Sequence, residues 1–214
     1  MKAYEIDVKL TDSNPLVWRK IMVPAGITFK RLHDTIQMAM GWQNAHLYEF
    51  RIEEAELSFT IDEERYAEHK YMKDLYANKK LTKEEDPYGF IARSIRGKVQ
   101  KANSSKIDSH LEKHKHLDYM YDFGDDWAHS IDLIKIVDDY PFGYPTILDG
   151  AGDCPPEDVG GFSGYEEFLK IWNDSTHPDY EHMRSWGESQ YFETFNQAKV
   201  NGWIKEFIQL KKVK

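Results

Sequence analysis

Three carboxylates and an imidazole fall within eight residues in the stretch Tyr121-Asp122-Phe123-Gly124-Asp125-Asp126-Trp127-Ala128-His129. Hard divalent cations want several oxygens, and imidazole suits transition metals. Asp122, Asp125, Asp126 and His129 are therefore candidates for a divalent-metal or acid/base site. Ordinary turn chemistry competes with that reading, because an aspartate beside glycine bonds its own backbone. For the hairpin tip alone turn chemistry is preferred, since such a tip rarely assembles a complete ligand set.

A second polar cluster runs from Leu148 to Gly161 and offers Asp149, Asp153, Cys154, Glu157 and Asp158. So long a loop without periodicity is either fixed by something or mobile. One reading joins it to the first cluster in a shared cleft around a metal, with Cys154 as ligand or nucleophile. In the other, prolines and glycines set a rigid turn and the acids cap it and the following helix. As a nucleophile Cys154 ranks below a buried or bystander thiol.

A third group, Trp18, Arg19, His33, Trp42, His46 and Trp127, forms a candidate binding surface. The tryptophans would be anchors, as aromatics often are at binding hot spots. For His33 and His46 a hydrogen-bonded structural role carries most of the weight. His110 and His114 share a helix face at i, i+4, but the adjacent lysines favour a solvated basic face there.

Elements that would position these residues are legible from the patterning. Tyr4, Ile6, Val8 and Leu10 alternate as a half-buried strand, and Val17 to Val23 reads as its hairpin partner. Thr28 is a plausible N-cap for a helix carrying Phe29, Leu32, Ile36, Ala39 and Met40, with Gly41 just past its end. Leu47 to Ile52 and Leu57 to Ile61 read as strands. Tyr119 to Phe123 and Trp127 to Val137 form the clearest hairpin. A Gly- and Pro-rich loop spans Asp138 to Phe162. Ser163 to Glu166 reads as a capping box opening a helix through Trp172. Helices near Asp179 to Trp186 and Phe195 to Lys211 close the chain. The pattern implies one α+β domain over 1–214, a mixed or antiparallel sheet with helices packed on it. Residues 62–116 are expected to be an inserted elaboration of solvated helices and a mobile loop near Ala102 to Ser105.

Composition narrows the function classes. The 214 residues carry 37 acidic against 28 basic side chains, a net charge of −9, which repels a phosphate backbone unless a local basic patch overrides it. The basic stretch 93–115 is the one candidate for a nucleic-acid contact, and a protein partner is the other option. With a single cysteine no intrachain disulfide forms, in keeping with a cytoplasmic setting. No secretory leader and no apolar run of bilayer length is visible, so no membrane association is expected. Phosphate-loop, dinucleotide, nucleophile-elbow and zincin motifs are all missing. No cofactor is identified, and a divalent metal is the group these residues could hold.

Three stretches taken together resemble a known family. They are Pro15 to Pro24 with Thr28-Phe29 and Leu32 to Trp42, then Tyr121 to His129, then Asp149-Gly150 with Cys154 to Gly161 and Gly164-Tyr165. In order and spacing they are similar to the plasmid Ri open-reading-frame-three-like family, whose members also occur as passenger proteins of insertion elements. The resemblance implies a compact α+β fold and no particular activity. It leads one to expect a second cysteine where this chain has Val159, so a role needing a cysteine pair is not expected. The functional expectation is a non-catalytic binding or accessory module associated with mobile elements; the alternative is a metal-dependent hydrolase.

Overall fold

A computed structural model describes residues 1–77, 79 and 81–209, without the side chains of Arg93 and Ser94. Its framework is a mixed eight-stranded sheet. The strands are β1 (Ala3–Leu10), β2 (Trp18–Pro24), β3 (Tyr48–Ile52), β4 (Leu57–Thr60), β5 (Lys98–Lys101), β6 (His116–Tyr121), β7 (Trp127–Val137) and β8 (Thr146–Ala151). They lie in the order β5-β4-β3-β6-β7-β1-β2-β8. Only β4 and β5 pair in parallel; every other neighbour is antiparallel.

One sheet face carries Tyr4, Ile6, Val8 and Leu10 of β1, with Leu10 opposite His129 and Val8 opposite Ile131 of β7. The four β1 side chains are fully buried. Against this face packs helix α1 (Phe29–Met40), through Phe29, Leu32, Ile36, Ala39 and Met40. Each fully buried aliphatic or Phe side chain contributes about 1.5–3 kcal/mol. Helix α1 starts as its sequence predicts, with the Thr28 hydroxyl accepting from the Arg31 N–H at 3.3 Å. It stops at Gly41, whose φ of 95° favours glycine.

Two strands were not legible in the sequence. Strand β8 lies inside the predicted Gly/Pro loop. It is an edge strand with only Ile147 buried, so it has no alternating pattern to read. Its Gly150 lies so close to β2 that a Cβ would sit 2.9 Å from the Trp18 carbonyl oxygen. The other, β5, extends the opposite edge.

The segment 62–116 contains α2 (Glu63–Tyr76), α3 (Phe90–Ile95), β5 and α4 (Asp108–His114). Helix α2 is solvated, with no fully buried residue, but Arg65 anchors it to the sheet. Arg65 and Arg51 clamp the fully buried Glu49 carboxylate: both bond Oε2 at 2.8 Å, and Arg65 Nη2 adds an ion-pair contact of 2.7 Å to Oε1. Breaking a buried pair of this kind leaves an uncompensated charge. The tract expected to be mobile near Ala102 is instead fastened to the start of α1. Phe29 and Lys30 donate their N–H groups to Ser105 and Ala102 at 3.0 Å, and Ala102, Ile107 and Leu111 are fully buried. Within the basic stretch, Arg96 pairs with Glu56, Lys101 with Glu63, and His114 with Glu54. The Arg93 side chain lies outside the described residues.

Helices α5 (Gly161–Trp172), α6 (Tyr180–Ser189) and α7 (Gln197–Phe207) complete the chain. Helix α5 opens two residues before the predicted capping box, after Gly160 in a left-handed conformation, with no side-chain cap. Residues 210 and 211 of the predicted last helix lie outside the described residues. No helix among those described is long and apolar enough to cross a membrane.

Candidate functional site

Strand pairing decides what meets at one end of the sheet. β3 begins where β6 ends, Tyr48 standing opposite Tyr121. The ladder continues one step further, the Asp122 N–H donating to the Leu47 carbonyl at 3.0 Å. His46, just before β3, is thereby placed beside Asp122, at the tip of the β6–β7 hairpin. The third contributor, the 155–161 bend, is tied in at both ends. Trp42 Nε1 donates to the Pro155 carbonyl at 2.9 Å, and the Gly160 N–H donates to Asp125 Oδ2 at 3.1 Å. The hairpin tip and the proline–glycine bend therefore do come together.

Four side chains from three loops form a crown there. His46 Nε2 lies 3.6 Å from Asp122 Oδ2, 3.7 Å from Glu157 Oε2 and 3.2 Å from Asp158 Oδ1. The ligand-type atoms of His46, Asp122 and Asp158 all lie within 4.8 Å of one another. Glu157 is 4% exposed and Asp122 7%, whereas Asp158 faces solvent. Each deep carboxylate is fixed by one oxygen, leaving the other bare. Asp122 Oδ1 accepts from the Gly124 N–H at 2.9 Å. Glu157 Oε1 accepts from the Gln43 N–H at 2.8 Å and from the Tyr121 hydroxyl at 2.9 Å. Glu157 Oε2 and His46 Nε2 find no hydrogen-bond partner among the described residues. Burial pushes the Glu157 carboxyl above its ordinary range, opposed by these two hydrogen bonds and by His46. Asn44, Asp122, Asp126 and Asp158 all have φ between 55° and 63°. A left-handed backbone costs such residues energy and is common where function dictates shape.

The remaining predicted residues fall elsewhere or serve the frame. Asp126 closes the hairpin turn, its N–H donating to the Asp122 carbonyl at 2.8 Å. His129 points into the core behind the crown: its Nδ1 bonds the Trp127 carbonyl at 2.9 Å, and burial lowers its pKa to about 4. It is not a crown ligand. Asp149 sits on the edge strand β8 opposite Lys20, its side chain accepting from the Gly150 N–H at 2.8 Å, so it is a strand residue and not part of the crown. Cys154 packs against the core, and burial pushes its thiol well up, the opposite of an activated nucleophile.

The predicted binding surface is mostly interior. Trp127 is fully buried and Trp42 nearly so, which removes them as anchors, and Trp18 is half-buried. Arg19 is 1% exposed, bonded to the Trp18, Ala39, Ala151 and Gly152 carbonyls and lying 3.7 Å over the Phe195 ring. His33 is stacked on Tyr48 at 3.5 Å. Its Nδ1 accepts from the Tyr119 hydroxyl at 2.8 Å and its Nε2 donates to Asn44 Oδ1 at 2.6 Å. With Gln37, which bonds both Tyr119 and Asn44, it holds the loop that delivers His46.

Two functional residues were underread in the sequence. His46 was grouped with the surface aromatics rather than with the acids, and Tyr121, named at the head of the acidic hairpin stretch, was given no role. The available signal was the polar run Gln43-Asn44-Ala45-His46 between a helix-ending glycine and a strand.

The comparisons with known proteins cover nearly the whole chain. The profile of the family described as plasmid pRiA4b ORF-3-like protein matches residues 2–201. A protein of Sinorhizobium fredii, described as the uncharacterized protein y4hQ, is 33% identical over 187 residues, spanning 87% of this chain and 81% of its own. A crystal structure from Methanosarcina mazei, of a protein described as of unknown function, superposes with a TM-score of 0.69 at 27% identity. It covers 93% of this chain and 97% of its own.

Proposed function

The chain belongs to the plasmid pRiA4b ORF-3-like protein family, and from that premise we propose that it is a non-catalytic binding module whose acidic crown takes a cationic ligand. The observation carrying this reading is the unpartnered pair Glu157 Oε2 and His46 Nε2, facing each other beside two further carboxylates. Among the described residues no lysine or arginine pairs with Asp122, Glu157 or Asp158, and His46 is the one side chain at ion-pair distance from all three, so three carboxylates share a single imidazole. A charge desolvated in this way gains most from a cation brought in from outside.

Binding rather than turnover is favoured by what surrounds the crown. Its deep carboxylates are held by backbone and tyrosine donors, and the one thiol is shielded. The hydrolase alternative uses the same ligands and has no separate observation in its favour. Within the basic stretch 93–115, Arg96 and Lys101 already pair with Glu56 and Glu63, so part of its positive charge is offset inside the protein.

Calorimetric titration tests the reading with two ligand classes, a short polylysine peptide and the chlorides of Mn²⁺, Zn²⁺, Mg²⁺ and Ca²⁺. At least one class is expected to saturate one site, and the double variant Asp122→Asn/Asp158→Asn to lose it. Saturation by neither class, or binding unaltered in the double variant, sinks the proposal.

A further inference from the structure

We infer that the crown is a binding site for a divalent first-row transition cation, held by His46 Nε2, Asp122 Oδ2, Glu157 Oε2 and Asp158 Oδ1. This rests on the cationic-ligand reading and names the cation. The first argument is spacing. An ion about 2.1 Å from each ligand sets neighbouring ligands about 3.0 Å apart in an octahedron and about 3.4 Å apart in a tetrahedron. The carboxylate oxygens stand 3.6, 3.7 and 3.2 Å from His46 Nε2. The atoms of His46, Asp122 and Asp158 already lie within 4.8 Å of one another, and Glu157 Oε2, outside that set, has to swing inward to complete a shell.

The second argument is the unsatisfied, buried carboxylate. Glu157 is 4% exposed, and its Oε2 has no hydrogen-bond donor although Oε1 of the same group has two. Buried polar atoms are nearly always satisfied, and one that is not points to an unfilled partner. Oε2 is aimed at His46 Nε2, itself without a hydrogen bond. A cation between them satisfies both atoms at once.

The third argument is the outer shell. Metal ligands are oriented by groups bonding the atom that does not ligate. Asp122 shows that pattern through Gly124, and Glu157 shows it through Gln43 and Tyr121. Tyr121 also accepts from the Ala45 N–H at 3.0 Å, fixing the peptide that leads into His46. Tyr121 is thus a positioning residue serving two ligands from one hydroxyl.

The imidazole sets the choice of ion. Calcium and magnesium sites are built from oxygens, whereas an imidazole suits iron, nickel, copper or zinc, and the three carboxylates of this mixed set also admit manganese. Asp158 lies on the solvent side, its side chain 72% exposed, so the ion enters from that side and Asp158 closes over it.

The test uses the full chain, stripped with chelator and titrated calorimetrically with Mn²⁺ and Zn²⁺, with Mg²⁺ and Ca²⁺ in parallel. Expected is one Mn²⁺ or Zn²⁺ per chain, with Mg²⁺ and Ca²⁺ at least tenfold weaker. His46→Gln and Glu157→Gln should each weaken binding by at least tenfold, with circular dichroism unchanged. Co²⁺ should give a visible d–d spectrum in the wild type that His46→Gln alters, a readout independent of fold stability. Absence of saturable Mn²⁺ or Zn²⁺ binding overturns the inference, as does binding that persists in both variants. If polylysine saturates the crown while no metal does, only the metal assignment falls; if neither binds, the cationic-ligand reading falls with it.

Discussion

Glu157 Oε2 faces His46 Nε2 across 3.7 Å with neither atom hydrogen-bonded, while Oε1 of the same carboxylate takes two donors. The asymmetry within one side chain separates a structural oxygen from an available one. It also shows how the fold builds the crown. Antiparallel pairing of β3 with β6 delivers His46 to Asp122, and the Trp42–Pro155 bond delivers Glu157 to both.

Tyr121→Phe keeps the ring against Trp42, whose centroid is 4.8 Å away, and removes only the hydroxyl. The variant leaves a buried carboxylate oxygen short of one donor and the Ala45 N–H without its acceptor. Leaving such groups unmet costs about 1–3 kcal/mol. Urea unfolding should report that loss, and Mn²⁺ affinity should drop about tenfold through the outer shell. An unfolding midpoint indistinguishable from wild type contradicts the positioning role.

Glu157→Gln preserves an acceptor for Tyr121 and Gln43 while removing a desolvated charge. Burial raises the folded-state pKa of Glu157, so the folded protein holds this proton more tightly than the unfolded chain. Below the ordinary carboxylate pKa both states are protonated and no penalty applies. As pH rises through the raised folded value, ionisation inside the fold costs stability. The variant is therefore expected to match or exceed wild type at pH 8, its advantage shrinking as pH approaches 4.5. Denaturation curves across pH 4–8 check this, and an advantage that grows on acidification refutes it.

Much of this architecture is written in the chain, and the misses have physical causes. Strict alternation in Tyr4 to Leu10 and the Thr28–Gly41 caps identified β1 and α1 because burial on one face leaves a period. Strand β8 left none, being an edge with one buried residue. The anchoring of Ala102 to Ser105 was hidden because backbone bonds to Phe29 and Lys30 depend on no side-chain type. At the crown, Asp122, Glu157 and Asp158 were visible as acids in two separate loops. His46 joined them through sheet order, which is a long-range property. His129 and Asp149 looked equivalent to the true crown residues, since type and proximity in sequence carry no direction.

Acid lability should trace to the interior histidines. Burial lowers the pKa of His33 and of His129 from 6.5 to about 4. Below pH 6.5 the unfolded chain takes up protons that the fold refuses, so stability falls as pH drops and levels off only near 4. At about 1.4 kcal/mol per pKa unit, the combined loss is on the order of 7 kcal/mol at most. His33→Gln should flatten part of that slope between pH 6.5 and 4 in urea denaturation. An unchanged slope removes His33 as a contributor.

Cys154 should be unreactive in the folded protein. Its thiol is pushed up by burial, only partly offset by Arg19. Thiolate is the nucleophile, so alkylation at pH 8 should be slow in buffer and complete in denaturant. Rapid labelling of the native chain contradicts this placement.

The same change, glycine to alanine, should have opposite signs at two helical positions. At Gly164 in α5 a Cβ would stand 1.9 Å from the Val159 carbonyl oxygen, far inside contact distance. Neither partner is the end of a flexible side chain, so the 155–161 bend or the helix must shift. Forced overpacking costs about 1–3 kcal/mol or more. Because that bend carries Glu157 and Asp158, cation binding should be lost along with stability. At Gly202 in α7 a Cβ meets nothing within 4 Å. There alanine removes unfolded-state freedom and improves helix propensity, a gain of about 0.4–1 kcal/mol. Thermal melts with Mn²⁺ titrations on both variants separate the effects. Gly202→Ala should melt higher with binding intact, and Gly164→Ala should melt lower with binding abolished. Retained Mn²⁺ affinity in a destabilised Gly164→Ala would show that the crown does not depend on the close approach of α5 to Val159.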